Sequence, residues 1–344
     1  MSKKDIRALS KNQLRTFFVE KGDKPFRGNQ VYEWLWSKTA HTFEDMTNLS
    51  KETRDMLEQH FTINHIKVDD MQRSKDGTIK NAVRLHDGLI VESVLIPTSD
   101  RTTACVSSQV GCSLDCEFCA TAQLKRMRNL NADEIYDQVA AINLESIKTH
   151  RHKLSNIVYM GMGEPLMNYN NVIKSIEMIT SEEGLGMSPK RITVSTSGLP
   201  KMIKKLADDE VKFNLAVSLH SAIEETRNKI MPFSKKFPLT DLRESLEYWY
   251  AKTQNRITYE YVVWKDINDK QEDINALVTF CSYVPCKVNI IEYNPIDDGK
   301  YQQASSKATN NYVYALEKNG IVVNVRRSRG KDIDAACGQL ANKS

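Results

Sequence analysis

The 344-residue chain is most informative first for what it lacks. No uninterrupted apolar run is long enough to cross a bilayer, and the opening MSKKDIRALSKNQL is charged without the apolar stretch of a secretory leader. A cytoplasmic protein with no membrane partner is the expectation. Neither a repeat on the order of 20 to 50 residues nor a low-complexity tract is present, which argues against solenoids, arrays and disordered linkers. Charge of one sign is barely in excess. Lys plus Arg number 48 against 44 for Asp plus Glu, and a net +4 is too little to establish a nucleic-acid partner. Finally, the seven cysteines are odd in number and come with no second CxxC and no HxxxH. That combination disfavours a disulfide framework and points to metal or redox chemistry.

What is present is a chain that is 40% hydrophobic, enough to bury a full core as one large domain with a smaller appendage. From about residue 6 to 62 the periodicity is helical. LSKNQLRTFFVEKG stops at a glycine, FRGNQVYEWLWSK places Val31, Trp34, Leu35 and Trp36 around an apolar face, and LSKETRDMLEQHF opens with Ser50 as its N-cap. IKNAVRLHDGLIVESVLIP, residues 79 to 97, reads as two strands about His86-Asp87-Gly88, a hairpin.

Beyond Arg101, short β-branched runs (TTACVSS, NIVYMG, RITVST, FNLAVSL, RITYEYVV, CKVNIIEY) alternate with longer amphipathic segments. Strand–helix alternation predicts a parallel sheet with right-handed crossovers. Six such units fit an incomplete (β/α) barrel, with a doubly wound sheet as the competing arrangement. The expected organisation is therefore α/β. A helical accessory domain spans 1–78, a β-hairpin extension 79–100, a partial (β/α)6 barrel 101–325, and a tail 326–344.

CVSSQVGCSLDCEFCATAQ, residues 105 to 123, carries the chemistry. Cys112, Cys116 and Cys119 form CxxxCxxC directly after the first barrel strand, on the side where barrel enzymes place their active sites. Three thiolates on a four-iron cluster leave one iron open to an exogenous ligand. A three-cysteine zinc site completed by a remote histidine is the alternative. Two basic runs, Lys125-Arg126-Met127-Arg128 and Arg326-Arg327-Ser328-Arg329-Gly330-Lys331, flank this region, and suit either a polyanionic substrate or solvated loops. MGMGEPLMN, STSG, SLH and YNP each end a strand candidate, so Gly163, Glu164, Ser195, Ser218, Leu219, His220 and Asn294 gather at one barrel mouth.

CxxxCxxC in this strand-to-loop setting resembles the radical S-adenosylmethionine (SAM) enzymes. The resemblance implies a [4Fe–4S] cluster on Cys112, Cys116 and Cys119, SAM on its open iron, and one-electron cleavage of SAM to a 5′-deoxyadenosyl radical. It also implies SAM contacts from the GEP turn (Gly163, Glu164) and the other strand ends. Taken with the terminal DIDAACGQL and with FRGNQVYEWLW and TFEDMTNLSK near the start, the chain is similar over nearly its whole length to the RlmN family of ribosomal RNA adenine-C2 methyltransferases. A sister group, the Cfr-type adenine-C8 methyltransferases, shares the cluster and both additional cysteines, but typically has alanine where Pro165 stands here.

That resemblance assigns roles to the two remaining thiols. Adenine C2 is an electron-poor carbon with no lone pair to attack a SAM methyl. In the family, the cysteine matching Cys337 takes a methyl from one SAM. A radical from a second SAM then activates that S-methyl for addition to C2. The cysteine matching Cys105 attacks the Cys337 sulfur, releasing product with formation of a disulfide, and Glu92 matches the family's proton acceptor. Read without the resemblance, Glu92 is an ordinary hairpin carboxylate and Cys337 a tail thiol. Cys281 and Cys286 match no family site and read as small buried apolar residues. Expected partners are 23S rRNA, tRNA through the adenine 3′ of the anticodon, and an electron donor such as flavodoxin, with the protein a monomer. Lys24, Arg27, Trp34, Trp36 and Lys38 are candidate RNA contacts of the appendage, with at least one tryptophan expected in its core.

Overall fold

The structure, a computed structural model, describes residues 3–296 and 299–342. Three helices open the chain: α1 (Lys11–Glu20), α2 (Phe26–Trp36) and α3 (Lys51–His60). Each start follows from local chemistry. Ser10 and Gln13 form a reciprocal capping box on α1, and the Ser50 hydroxyl accepts the Thr53 N–H at 3.3 Å to cap α3. Gly28 lets α1 and α2 touch, since a Cβ there would lie 2.6 Å from the Arg15 nitrogen. Leu14, Phe18, Val31, Leu35 and Trp36 fill the seam, while Trp34 stays half-buried beneath the Lys38 ammonium, 4.3 Å from its ring centre.

One ten-stranded sheet follows. Strands β1 (Lys67–Arg73), β2 (Ile79–Arg84), β3 (Ile90–Pro97) and β4 (Thr102–Cys105) are antiparallel neighbours. Strands β5 (Asn156–Tyr159), β6 (Ile192–Thr196), β7 (Asn214–Ser218), β8 (Ile257–Val262), β9 (Cys286–Ile291) and β10 (Val322–Arg326) then add one by one, all parallel from β4 onward. The crossovers are α4 (Ala132–His150), α5 (Tyr169–Thr180), α6 (Pro200–Asp208), α7 (Glu224–Ile230) with α8 (Leu239–Thr253), α9 (Gln271–Cys281) and α10 (Ser306–Lys318).

Strand order runs with the sequence and never reverses, which leaves no switch point and removes the doubly wound alternative. The partial barrel thus contains all six expected parallel strands. Two elements go beyond the reading from sequence. VVNVR, too short and too polar in context to stand out, forms β10 and extends the parallel run. Lys67–Arg73, inside the stretch assigned to the helical appendage, is instead a strand paired with the hairpin. Its KVDDMQR pattern alternates poorly because most of it faces solvent, so periodicity carries no signal there.

The appendage is fastened to the barrel by a buried ion pair. Arg7 donates from both terminal nitrogens to the two carboxylate oxygens of Asp137 on α4, each at 2.7 Å, and its guanidinium sits 4.7 Å from the Trp36 ring centre. Tyr136, next along α4, donates its hydroxyl to the Trp36 carbonyl. A bidentate pair of this kind is strong in geometry and costly to break, because the survivor is a lone buried charge. Asp137→Ala is therefore expected to lower unfolding free energy by about 3–5 kcal/mol. Denaturant unfolding checks this, and an unchanged midpoint would reject the role of the pair.

Candidate active site

The parallel strands end on one side of the sheet, and their ends line one cavity. Cys112, Cys116, Cys119, Gly163, Glu164, Ser195, Ser218, His220, Asn294 and Cys337 all face it, together with Glu260 from β8 and Arg326 at the end of β10. A second cavity adjoins it, lined by Cys105, Cys337, Cys119 and the three arginines 326, 327 and 329. Cys337 belongs to both walls. Of the residues expected at this mouth, Leu219 does not line the cavity, and Glu92, expected as proton acceptor, lines neither cavity. Leu219 is fully buried. Its N–H donates to the Glu260 carbonyl at 3.0 Å, and its own carbonyl accepts from Arg227.

Local sequence explains the loop geometry. Gly111 has φ +72°, and a Cβ there would strike the Lys125 carbonyl at 2.5 Å, so only glycine lets the cysteine loop fold back on itself. Gly163 has φ +93°, and a Cβ would fall 2.4 Å from Gln109. That close approach lets Gln109 Oε1 accept the Glu164 N–H at 2.8 Å. The Glu164 carboxylate in turn accepts from Leu166 and Ser197 N–H groups at 3.0 and 2.8 Å, joining the GEP turn to the STSG turn.

Burial raises the thiol pKa values of all three cluster cysteines. Cys112 is pushed up to about 11, and Cys116 and Cys119 also lie above the ordinary range, with neighbouring thiols adding to the effect at Cys112 and Cys116. Such thiols surrender their protons to a metal rather than to water. Among the described residues, no three His, Cys, Asp or Glu side chains converge as a single ion requires. Three cysteine thiols around one cavity suit an iron–sulfur cluster, which thiolates hold. For SAM, Asn294 Oδ1 is buried, faces the cavity set and has no partner among the described residues, which suits a ligand donor.

Arg227 and Glu260 carried no sequence signal, unlike His220 and Arg326. Arg227 is buried and donates to the carbonyls of Ser197, Ser218 and Leu219, stapling the STSG and SLH turns together. His220 packs its ring edge to face with Phe118 at 4.8 Å and accepts the Val262 N–H at Nδ1. Burial, with the Arg227 charge as a lesser cause, lowers its pKa to about 3, so the imidazole is neutral at physiological pH. Arg326 pairs with Glu260 at 3.3 Å, and Asn289 holds the other Glu260 oxygen at 2.8 Å.

The two extra thiols differ in access. Cys105 is buried, and burial pushes it up to about 12, with the Cys337 thiol adding to the shift; Cys337 is exposed, though its thiol is also raised, first by desolvation. Both are therefore protonated at neutral pH, and each becomes more reactive as pH rises. Iodoacetamide is expected to label Cys337 at least about tenfold faster than Cys105 at pH 8, because alkylation needs an accessible thiolate. Peptide mass spectrometry over a time course checks the order, and equal rates would contradict this arrangement.

A family model described as the ribosomal RNA large subunit methyltransferase N-terminal domain matches residues 4–63, and the radical SAM superfamily model matches residues 106–278. A Flavobacterium johnsoniae protein named probable dual-specificity RNA methyltransferase RlmN is 76% identical over 343 residues, covering 100% of this chain and 98% of its own. The dual-specificity RNA methyltransferase RlmN of Geotalea uraniireducens is 40% identical over 343 residues, with 100% and 98% covered. A radical SAM methyltransferase from Sphaerobacter thermophilus superimposes with a TM-score of 0.92 at 35% identity, covering 98% of this chain and 99% of that one. With its fold, its cysteine triad and these likenesses all agreeing, the chain belongs to the RlmN family of radical SAM RNA methyltransferases, whose cofactors are a [4Fe–4S] cluster and SAM.

Proposed function

We infer that this chain methylates C2 of an adenine in 23S rRNA and of the adenine 3′ of the anticodon in tRNA, using Cys337 as a methyl carrier. The observation that carries this reading is the position of Cys337 in the wall shared by two cavities, one holding the cluster cysteines and the other Cys105. A methyl carrier must meet a cofactor on one side and its release partner on the other.

Cys112, Cys116 and Cys119 hold the cluster, while Gly163, Glu164, Ser195, Ser218, His220 and Asn294 surround SAM; Leu219 contributes through its backbone. Together, the bound cofactors supply a methyl group and radical chemistry. Cys337 accepts the methyl as a thiolate; burial raises its pKa, and the Arg326 charge opposes that shift. Cys105 then attacks the Cys337 sulfur as a thiolate; an S–S bond forms, and the bond from sulfur to the product carbon breaks with its electron pair passing to the product, which takes up a proton to give the methyl group. Glu92 takes the C2 proton. The arginines of the second cavity, and Lys24, Arg27 and Lys38 of the appendage, supply cations for RNA phosphates.

On this reading residues 1–78 form the RNA-binding accessory domain, 79–100 the hairpin extension, 101–325 the catalytic barrel and 326–344 the methyl-accepting tail, of which residues 343 and 344 lie outside the described part. A flavodoxin-like protein supplies the electron, and the enzyme works as a cytoplasmic monomer. No helix among the described residues is long and apolar enough to cross a membrane. Pro165 and the family membership support C2 rather than C8 as the target.

Anaerobically reconstituted protein, incubated with SAM, reductant and protein-free 23S rRNA or tRNA, is expected to yield 2-methyladenosine by mass spectrometry against both isomeric standards. 8-Methyladenosine would overturn the assignment. Cys105→Ala is expected to accumulate an RNA–protein adduct, and free methylated RNA from that variant would remove the resolving role of Cys105.

A further inference from the structure

Glu92 has work that the proton-acceptor role does not explain. It lies on β3, is only 2% exposed, and faces neither cavity. One carboxylate oxygen pairs with the Lys80 ammonium of β2 at 3.2 Å, and Lys80 is itself only 4% exposed. Glu92 stands opposite Ala82 in the antiparallel register, so Lys80, two residues from Ala82, is its diagonal neighbour on the same face. The other oxygen accepts the backbone N–H groups of Ala341 and Asn342 at 2.8 and 3.1 Å, and the Asn342 side chain donates to the Ile90 carbonyl at 2.8 Å. These contacts join the hairpin to the tail four residues beyond Cys337.

Among the described residues, the other tethers of the stretch from Cys337 to Asn342 are neutral. Gly338 and Leu340 carbonyls accept from Ala120 and Thr121 in the cluster loop at 2.7 and 2.6 Å, and Gln339 donates to the Pro295 carbonyl at 3.1 Å. Asn294 donates to the Cys337 carbonyl at 3.2 Å. Glu92 is thus the charged anchor of this stretch. A buried ion pair contributes little net stability to a fold compared with apolar residues of the same volume. What Lys80 does contribute is a local counter-charge beside a carboxylate whose other oxygen accepts two N–H groups at once.

We propose that Lys80 and Glu92 are positioning residues for the methyl-accepting tail: together they latch residues 341–342 to the hairpin and so set where Cys337 stands between the two cavities. This rests on the carrier role proposed above for Cys337. It has a second consequence. While the latch is closed both Glu92 oxygens are engaged, so Glu92 takes a proton from substrate only after residues 341–342 lift away. Tail release and exposure of the base are one event.

Hydrogen–deuterium exchange on the full chain tests the latch without any turnover. The double variant Lys80→Met, Glu92→Leu leaves no lone buried charge. It is expected to exchange the amides of 339–342 about tenfold faster than wild type, the factor that corresponds to ~1.4 kcal/mol of lost docking. Peptides covering β2 and β3 should keep wild-type protection. Glu92→Gln, which retains one acceptor oxygen, should fall between the two. Unchanged tail exchange in both variants overturns the proposal. A second readout separates the latch from a role as base alone. Glu92→Gln should slow S-methylation of Cys337 by SAM, followed by peptide mass, whereas a residue acting only as base leaves that early step at the wild-type rate. If wild-type protein never methylates Cys337, the carrier reading fails by itself, and the exchange result still decides the latch.

Discussion

The central cavity of this molecule is built chiefly from the C-terminal ends of parallel strands. Because β4 through β10 run the same way in sequential order, their ends meet on one side, and seven separate stretches of chain deliver side chains to one cavity. Parallel pairing also explains why the strands are so apolar. β8 is buried along its entire length, since helices cover one face and the barrel interior the other. A single change of strand direction would carry one of these ends to the far side of the sheet and dismantle the site.

Onto that frame the protein places charges where water is scarce, and each has a partner. Arg7 meets Asp137 across the seam between appendage and barrel, Arg326 meets Glu260 at the cavity wall, and Lys80 meets Glu92 beneath the tail. Arg227 differs, since its two terminal nitrogens donate to three backbone carbonyls and a methionine sulfur rather than to a carboxylate, and its Nε has no partner among the described residues. Its charge opposes the upward shift that burial imposes on the Cys116 thiol. Desolvation and fixed positive charge thus act in opposite directions on the same sulfur, which suits a site meant to hold thiolates only when a metal cluster is there to share them.

The tail shows how a flexible-looking segment becomes part of a site. RRSRGKDIDAACGQLANKS has little periodicity and forms only one turn of 3₁₀ helix, Lys331–Ile333, among its described residues. Its order comes from elsewhere. Asp332 accepts from Ser74 and Lys75 in the turn between β1 and β2, the Gly330 N–H reaches Asp76, and the Glu92 contacts hold the far end. The antiparallel extension of the sheet therefore serves as the platform on which the tail is laid, which ties an otherwise peripheral hairpin to the chemistry.

How much of this was legible beforehand depends on how local each cause is. The capping residue Ser50, the hairpin about Asp87-Gly88, the alternating strands and helices, and the CxxxCxxC triad are set by neighbours within a few residues, so the sequence alone determined them. Exposed β1 and short β10 escaped notice, because pairing rather than pattern makes them strands. The adjacency of Cys105 and Cys337, separated by more than two hundred positions, the stapling role of Arg227, and the engagement of Glu92 by Lys80 and the tail arise only when distant segments share a desolvated volume. No periodicity encodes such a meeting; the parallel sheet, by gathering its strand ends and offering its edge to the tail, decided it.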